Sequence, residues 1–220
     1  MSKKPTNKIT YAFIDSQNLN LGTRMNVSNA QGKIIYHGKK LNFYRFRQYL
    51  RERYGVSRAY IFIGLIPNNN DLYMYLQSAG FTLVFKPVSY YTDEYNNKKP
   101  KGNVDTDIVL YSVAKLIDDY DEAIFASGDG DFVSLYDYLN EKKKLRKIFV
   151  PNRYRFSSLL KKYHSQLAFV DDIPNLFYAT KKTGSSGRKT SSLGQPGHGD
   201  ESSLPKSKAK VNTRPQKRSK

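Results

Sequence analysis

The chain of 220 residues has no cysteine. That absence removes disulfides, thiolate zinc sites and cysteine nucleophiles together, and it suits a reducing compartment. Histidine is scarce as well. His37, His164 and His198 are scattered, and none falls in a stretch that reads as a site. Histidine acid–base chemistry and a serine–histidine triad are therefore unsupported. No run of about 18 apolar residues exists, so no membrane span is expected. The opening Met-Ser-Lys-Lys-Pro-Thr is basic but has no apolar h-region behind it. A signal peptide is not expected, and the cytoplasm is the expected compartment. Acidic residues are the minority, 19 against 37 Lys+Arg, for a net charge of +18. Residues 180–220 hold 11 Lys/Arg against Asp200 and Glu201, which is +9, so residues 1–179 carry the remaining +9. Both parts are basic, and a basic body implies a polyanionic partner, most often nucleic acid.

What is present is alternation. Residues 9–14, 59–65, 81–85, 123–126 and 147–150 are short apolar runs that read as strands, with a last short one at 168–170. Helical spacing fills 41–54, 70–79, 104–120, 132–142 and 156–164. Strands alternating with helices predict a parallel sheet covered on both faces, in one α/β domain over residues 8–177. Arg45, Arg47, Arg51 and Arg53 are expected on a solvated helix face. Residues 20–40 and 90–101 read as polar loops. Beyond 180 Gly, Ser, Pro, Lys and Arg dominate. Such a segment buries too little surface to offset ordering, so a disordered basic tail is expected over 180–220, with an electrostatic role.

The apolar run 123–126 stops at Gly128-Asp129-Gly130-Asp131. Asp15 ends the first strand, and Asp105 and Asp107 open a helix. Strand ends are where ligands bind in open α/β sheets. Singly, each acid has a bland role: Asp131 or Asp105 as a helix cap, Gly128-Asp129-Gly130 as a turn. Three acidic ends on one edge are harder to explain by capping. Such a group needs a cation or protons, and oxygen-only ligands suit Mg²⁺ or Mn²⁺ rather than zinc. Asp105 opens a helix instead of closing a strand, so it is expected to reach that rim only if the loop before it crosses over.

Three stretches carry a family resemblance: Ile14-Asp15-Ser16-Gln17-Asn18-Leu19, Lys101-Gly102-Asn103-Val104-Asp105 and Ser127-Gly128-Asp129-Gly130-Asp131-Phe132. Together, in this order and spacing, they resemble the signatures of NYN-domain proteins, the LabA-like branch of the PIN-like nucleases. The resemblance implies a PIN-like three-layer α/β/α sandwich with a central, mainly parallel sheet. It implies a divalent-metal-dependent endoribonuclease that cleaves RNA with a metal-activated water. By position, Asp15, Asp105 and Asp129 would be the core carboxylates and metal ligands, Asp131 a fourth, and Asn18 an assisting residue. Mg²⁺ or Mn²⁺ would be the cofactor, with no small-molecule cofactor and no membrane partner. Lys98, Lys99, Lys101, Arg153 and Arg155 are expected to hold the RNA backbone. Tyr90, Tyr91, Tyr95, Tyr154 and Phe156 lie among them and could stack on bases. Such stacking favours single-stranded RNA, with DNA left open.

The chain departs from that pattern in places. Many relatives carry a further acid one and a half turns after the middle Asp; here that place is Tyr111, and segments 23–40 and 180–220 have no counterpart. The other reading is a non-catalytic RNA-binding module with a vestigial acidic site. Toprim and haloacid-dehalogenase sites are disfavoured: Asp15 stands where the first wants Glu, and Ser16 and Gln17 follow where the second wants Asp-x-Asp.

Overall fold

The apolar runs pair side by side, as their burial on both faces requires. The computed structural model describes residues 8–92, 96, 98–101 and 103–179. Strands β1 (Thr10–Asp15), β4 (Val56–Leu65), β5 (Thr82–Pro87), β8 (Glu122–Ala126), β9 (Leu145–Val150) and β10 (Leu167–Phe169) form one six-stranded sheet. Its order is β10-β9-β8-β1-β4-β5, and every pairing is parallel. Side chains alternate across a strand. Tyr11, Phe13, Tyr60, Phe62, Phe125 and Ile148 build the core on one face. Ala12, Ile14, Ala59, Ile61, Ile124 and Phe149 build the core on the other.

Helices cover both faces. On the first lie α4 (Asp105–Leu110), α5 (Val133–Glu141) and a 3₁₀ segment, Ser158–Tyr163, contributing Ile108, Leu135, Leu139 and Leu160. On the second lie α1 (Ser16–Arg24), α2 (Phe43–Tyr54) and α3 (Asn70–Ser78), contributing Leu19, Phe46, Leu50 and Leu76. The result is a three-layer α/β/α sandwich. From β1 the chain moves outward to β4 and β5, then returns through α4 to β8 on the other side of β1. The seam between β1 and β8 is therefore where the winding reverses, and in open α/β sheets the crevice beyond such a seam is the ligand site.

Several local expectations need correction. Residues 16–24 are a helix, because Asp15 caps it: Asp15 Oδ1 accepts from the Asn18 N–H at 2.9 Å. The rest of the expected 20–40 loop holds a small hairpin, β2 (Val27–Ser28) with β3 (Ile34–Tyr36). The expected 90–101 loop holds a second, β6 (Ser89–Thr92) with β7 (Lys98–Lys101). The expected long helix over 104–120 shortens to α4 and widens into a π turn, Tyr111–Lys115. There the buried Ser112 hydroxyl donates to the carbonyls of Ile108 and Val109, while the Tyr120 hydroxyl donates to Ser112 O at 2.7 Å. Such side-chain competition for helix carbonyls disturbs the regular ladder.

The arginines of α2 also differ from expectation. Arg51 and Arg53 are exposed, but Arg47 donates to the carbonyls of Gly80, Val56 and Ser57. Arg45 donates to the carbonyls of Asn175 and Phe177. These two tie the helix to neighbouring chain ends. Among the described residues no helix is long and apolar enough to cross a membrane. The basic segment 180–220, where the sequence predicts disorder, lies outside the described residues.

Candidate metal centre

Asp15 is the last residue of β1, and Asn18 sits one turn into α1. The Asn18 side chain reaches across to β8, where its Oδ1 accepts from the Gly128 N–H at 2.8 Å. The turn after β8 then folds on itself. Ser127 Oγ accepts from the Asp129 N–H at 3.2 Å, and Asp129 Oδ1 accepts from the Asp131 N–H at 3.0 Å. That second bond caps the short 3₁₀ helix Gly130–Phe132. From outside, the chain beyond β9 buttresses the turn: the Ser157 N–H donates to Gly128 O at 3.0 Å. A Cβ at position 130 would overlap Ser157 Oγ and lie 2.9 Å from Ser157 Cβ, so only glycine fits there.

Asp105 arrives from the helix side. It is the first residue of α4, and its N–H donates to Asn103 Oδ1 at 2.7 Å. No crossing loop is needed to bring it to the rim. A helix leading into a parallel strand runs back across the sheet, so its N-terminus starts at the rim where strands end. One carboxylate oxygen from each of Asp105, Asp129 and Asp131 lies within 4.8 Å of the other two. Asp105 and Asp129 are half-buried and Asp131 is exposed.

Asp15, expected among the three core carboxylates, is not in that group; Asp131, expected as a fourth, is. Asp15 is 6% exposed, and burial pushes its carboxyl up to about 6, with the charges of Asp105 and Asp129 adding to the rise. The backbone N–H groups of Asn18 and Gln17 pull the other way. Burial also raises Asp105, with Asp129 and Asp131 adding and the Asn103 side chain opposing. Below them Tyr136 of α5 is fully buried; its phenol is raised by burial and then by the charges of Asp15 and Asp129, and its hydroxyl has no partner among the described residues. Nothing in the sequence around Tyr136 marks it, because only the packing of α5 on β8 brings it close.

The donors suit a hard cation. Oxygen ligands at about 2.0–2.6 Å from an ion stand at most about 4–5 Å apart across it. The three oxygens meet that span. Asp107, two residues after Asp105, pairs instead with Lys86 at 2.9 Å. Replacing Asp107 by Asn is expected to leave the rise in melting temperature caused by Mn²⁺ close to that of the parent. It should cost about 0–1 kcal/mol of stability, the worth of a partly solvated ion pair. Replacing Asp105 by Asn should remove most of the Mn²⁺-induced rise without lowering the melting temperature of the metal-free protein. Thermal unfolding of the two variants with Mn²⁺ and with chelator checks this; the opposite ranking would exclude Asp105 from the site.

The residues expected to hold substrate divide. Arg153 is committed to Asp171 and Asp172 and stands over the Phe169 ring, so its charge is largely compensated. Phe156 packs against Phe169 at 5.6 Å between ring centroids. Tyr154 is 51% exposed, with its ring 6.4 Å from that of Tyr36. Arg155 is exposed and reaches Met25 Sδ at 3.9 Å. Lys98, Lys99 and Lys101 fall on β7 and Tyr90 and Tyr91 on β6, while Tyr95 lies outside the described residues. Tyr111, which stands at the place of the further acid in the family pattern, is half-buried and packs edge-on against Phe62 at 5.4 Å.

The model of a family described as the NYN domain matches residues 10–170. Among solved structures, the crystal structure of a protein of unknown function from Vibrio parahaemolyticus is similar. It is 20% identical with a TM-score of 0.59, over 78% of this chain and 98% of that one, a likeness of fold. No match is found among curated proteins.

Proposed function

The chain belongs to the NYN domain family, within the PIN-like superfamily, and from that premise we propose that it is a divalent-metal-dependent endoribonuclease. The observation that carries the reading is the trio Asp105, Asp129 and Asp131, with oxygens within 4.8 Å, at the seam between β1 and β8. These three would hold Mg²⁺ or Mn²⁺. Such an ion, when bound, supplies a Lewis acid for a phosphoryl oxygen and a water of lowered pKa. Asp15 adds negative charge from beneath, and a cation would favour its ionised form. Asn18 keeps Asp129 aimed by fixing the turn that carries it. Arg155 and the lysines of β7 would hold the RNA backbone, and the exposed ring of Tyr154 favours an unpaired base. Arg153 would order its loop through Asp171 and Asp172 rather than contact RNA.

The test is incubation with labelled single-stranded and duplex RNA and DNA, with Mg²⁺, with Mn²⁺ and with chelator. Internal cuts in single-stranded RNA that vanish with chelator are expected. The same ions should raise the melting temperature, since saturation at about 100 times the dissociation constant adds about 2.7 kcal/mol. No cutting and no thermal shift would overturn the reading. They would leave the second one, a non-catalytic RNA-binding module, which the packed Tyr111 favours.

A further inference from the structure

Helix α1 buries Leu19 in the second core, yet its other contacts fall at the carboxyl ends of the strands. It starts at Asp15 on β1, passes β8 where Asn18 holds Gly128, and reaches the end of β9. There Gly22 lies against Pro151 so closely that a Cβ would come within 2.6 Å of Pro151 Cβ. The helix therefore lies across the carboxyl rim and delivers the β2–β3 hairpin to that rim, beyond the acidic trio. At nine residues, α1 spans about 13 Å.

The hairpin is built in, not loosely attached. The buried Thr23 carbonyl accepts from both the Tyr36 hydroxyl at 3.1 Å and the Lys39 N–H at 2.8 Å. The Gly38 N–H donates to Asn26 Oδ1 at 2.9 Å, and a Cβ at Gly38 would collide with the Arg24 carbonyl. The hairpin also touches the segment after β9, through the Tyr36 and Tyr154 rings and through Met25 and Arg155.

Its chemistry is one-sided. From Ser16 to Arg51 the sequence contains no acidic residue at all. Arg24, Lys33 and Lys39 are exposed along it. Beside them Ile34, Ile35 and Tyr154 are each more than 40% exposed. Asp171 and Asp172 come near Lys39 from another part of the chain, but both pair with Arg153. Cations interleaved with exposed apolar and aromatic side chains match an unpaired nucleic acid strand: phosphates for the charges, base faces for the rest.

Resting on the nuclease reading above, we infer that this hairpin and the Tyr154–Arg155 segment form a second binding rim for single-stranded RNA, which grips the strand a few nucleotides away from the cut. The hairpin thereby sets a minimum substrate length. RNA too short to span from the acidic trio to the hairpin gains nothing from it.

The experiment uses the full chain carrying Asp129→Asn, so that RNA is not consumed, and measures fluorescence anisotropy with labelled single-stranded RNA of about 5 and about 15 nucleotides. The parent should prefer the long RNA. With Arg24→Gln, Lys33→Gln and Lys39→Gln together, that preference should fall at least about tenfold. The slope of log affinity against log salt should drop by about 2, at about 0.7 per phosphate contact on a single strand. Lys33→Gln alone, at the hairpin's tip, should lower the slope by about 0.7 and serves if the triple variant misfolds. Ile34→Ser with Ile35→Ser should weaken the long RNA with an unchanged slope. Equal long-RNA affinity and slope in folded charge variants would overturn the inference. So would a change in self-association of the Ile34→Ser, Ile35→Ser protein with RNA binding intact, which would make the patch a protein interface. A wild-type chain that prefers long RNA but cuts none would overturn the nuclease reading and leave this one standing.

Discussion

Asp129→Asn is expected to give a folded protein that binds RNA and leaves it uncut. The substitution keeps the local architecture, because Asn retains an Oδ1 to accept from the Asp131 N–H at 3.0 Å. Ser127 Oγ still accepts from the residue's own N–H, and Asn18 still holds Gly128. What changes is charge. Asp129 is the one acid that both belongs to the trio and raises the two other buried carboxyls, Asp15 and Asp105. Removing it would take a proposed ligand from the ion, and it takes a unit of negative charge from the site. Loss of metal-assisted charge stabilisation of about 4 kcal/mol corresponds to roughly a thousandfold in rate. Single-turnover cleavage of single-stranded RNA with Mn²⁺ is the measurement. A rate within about tenfold of the parent would move the cleavage centre away from this turn. Asp131→Asn should cost less, because Asp131 is exposed and its carboxylate can be replaced by water as an ion ligand.

The second large effect is on stability. Asp15→Asn is expected to stabilise the metal-free protein at neutral pH. Burial holds the Asp15 carboxyl at about 6 in the folded chain, against 3.8 ordinarily. A raised carboxyl favours the folded state only while it is protonated. Relative to low pH, the folded chain therefore loses stability as pH rises from about 4 to about 6, and the loss levels off above the folded value. The difference corresponds to about 3 kcal/mol at pH 7. The Asn side chain carries no charge and still caps α1, since Oδ1 can accept from the Asn18 N–H. The Asn protein should therefore be more stable than the parent at pH 7, by up to about 3 kcal/mol, and the gap should close near pH 4. Chelator-treated denaturant unfolding across that range checks the sign. Added Mn²⁺ should shrink the gap at pH 7, because a cation stabilises the ionised Asp15 that the variant lacks. A parent that grows more stable from pH 4 to pH 6 would show that Asp15 is not held protonated by its surroundings.

Much of this was legible in the residues. Short apolar runs bounded by turn residues, such as those holding Ala12 to Ile14 and Ile124 to Ala126, read as strands buried on both faces, and they are. The signature stretches mark Asp15, Asp105 and Asp129 in the sequence itself, because the turns that present them are local. Gly128-Asp129-Gly130-Asp131 folds on its own Ser127 and Asp129 side chains. Other features were illegible because their partners are far away. Arg47 looked like surface, and it is fixed by carbonyls of Val56, Ser57 and Gly80. Arg153 looked like a phosphate ligand, and Asp171 and Asp172 take its charge.

The chain's pattern by itself determined the strand–helix alternation and the identity of the acidic turns, since each depends on neighbours a few residues apart; the parallel sheet was legible only through that alternation, because its strands pair across long separations. Only the tertiary structure decided which acids meet. It set Asp105, Asp129 and Asp131 within one ion's reach and left Asp15 buried beside them, Asp107 on Lys86 and Tyr111 packed against the core. The course of α1, too, was decided there. Nothing periodic in Ser16 to Arg24 says that the helix lies along the rim; the Gly22 contact with Pro151 does, across a separation no local propensity spans. Burial and charge depend on what the whole sheet brings together, and so the character of the site belongs to the fold.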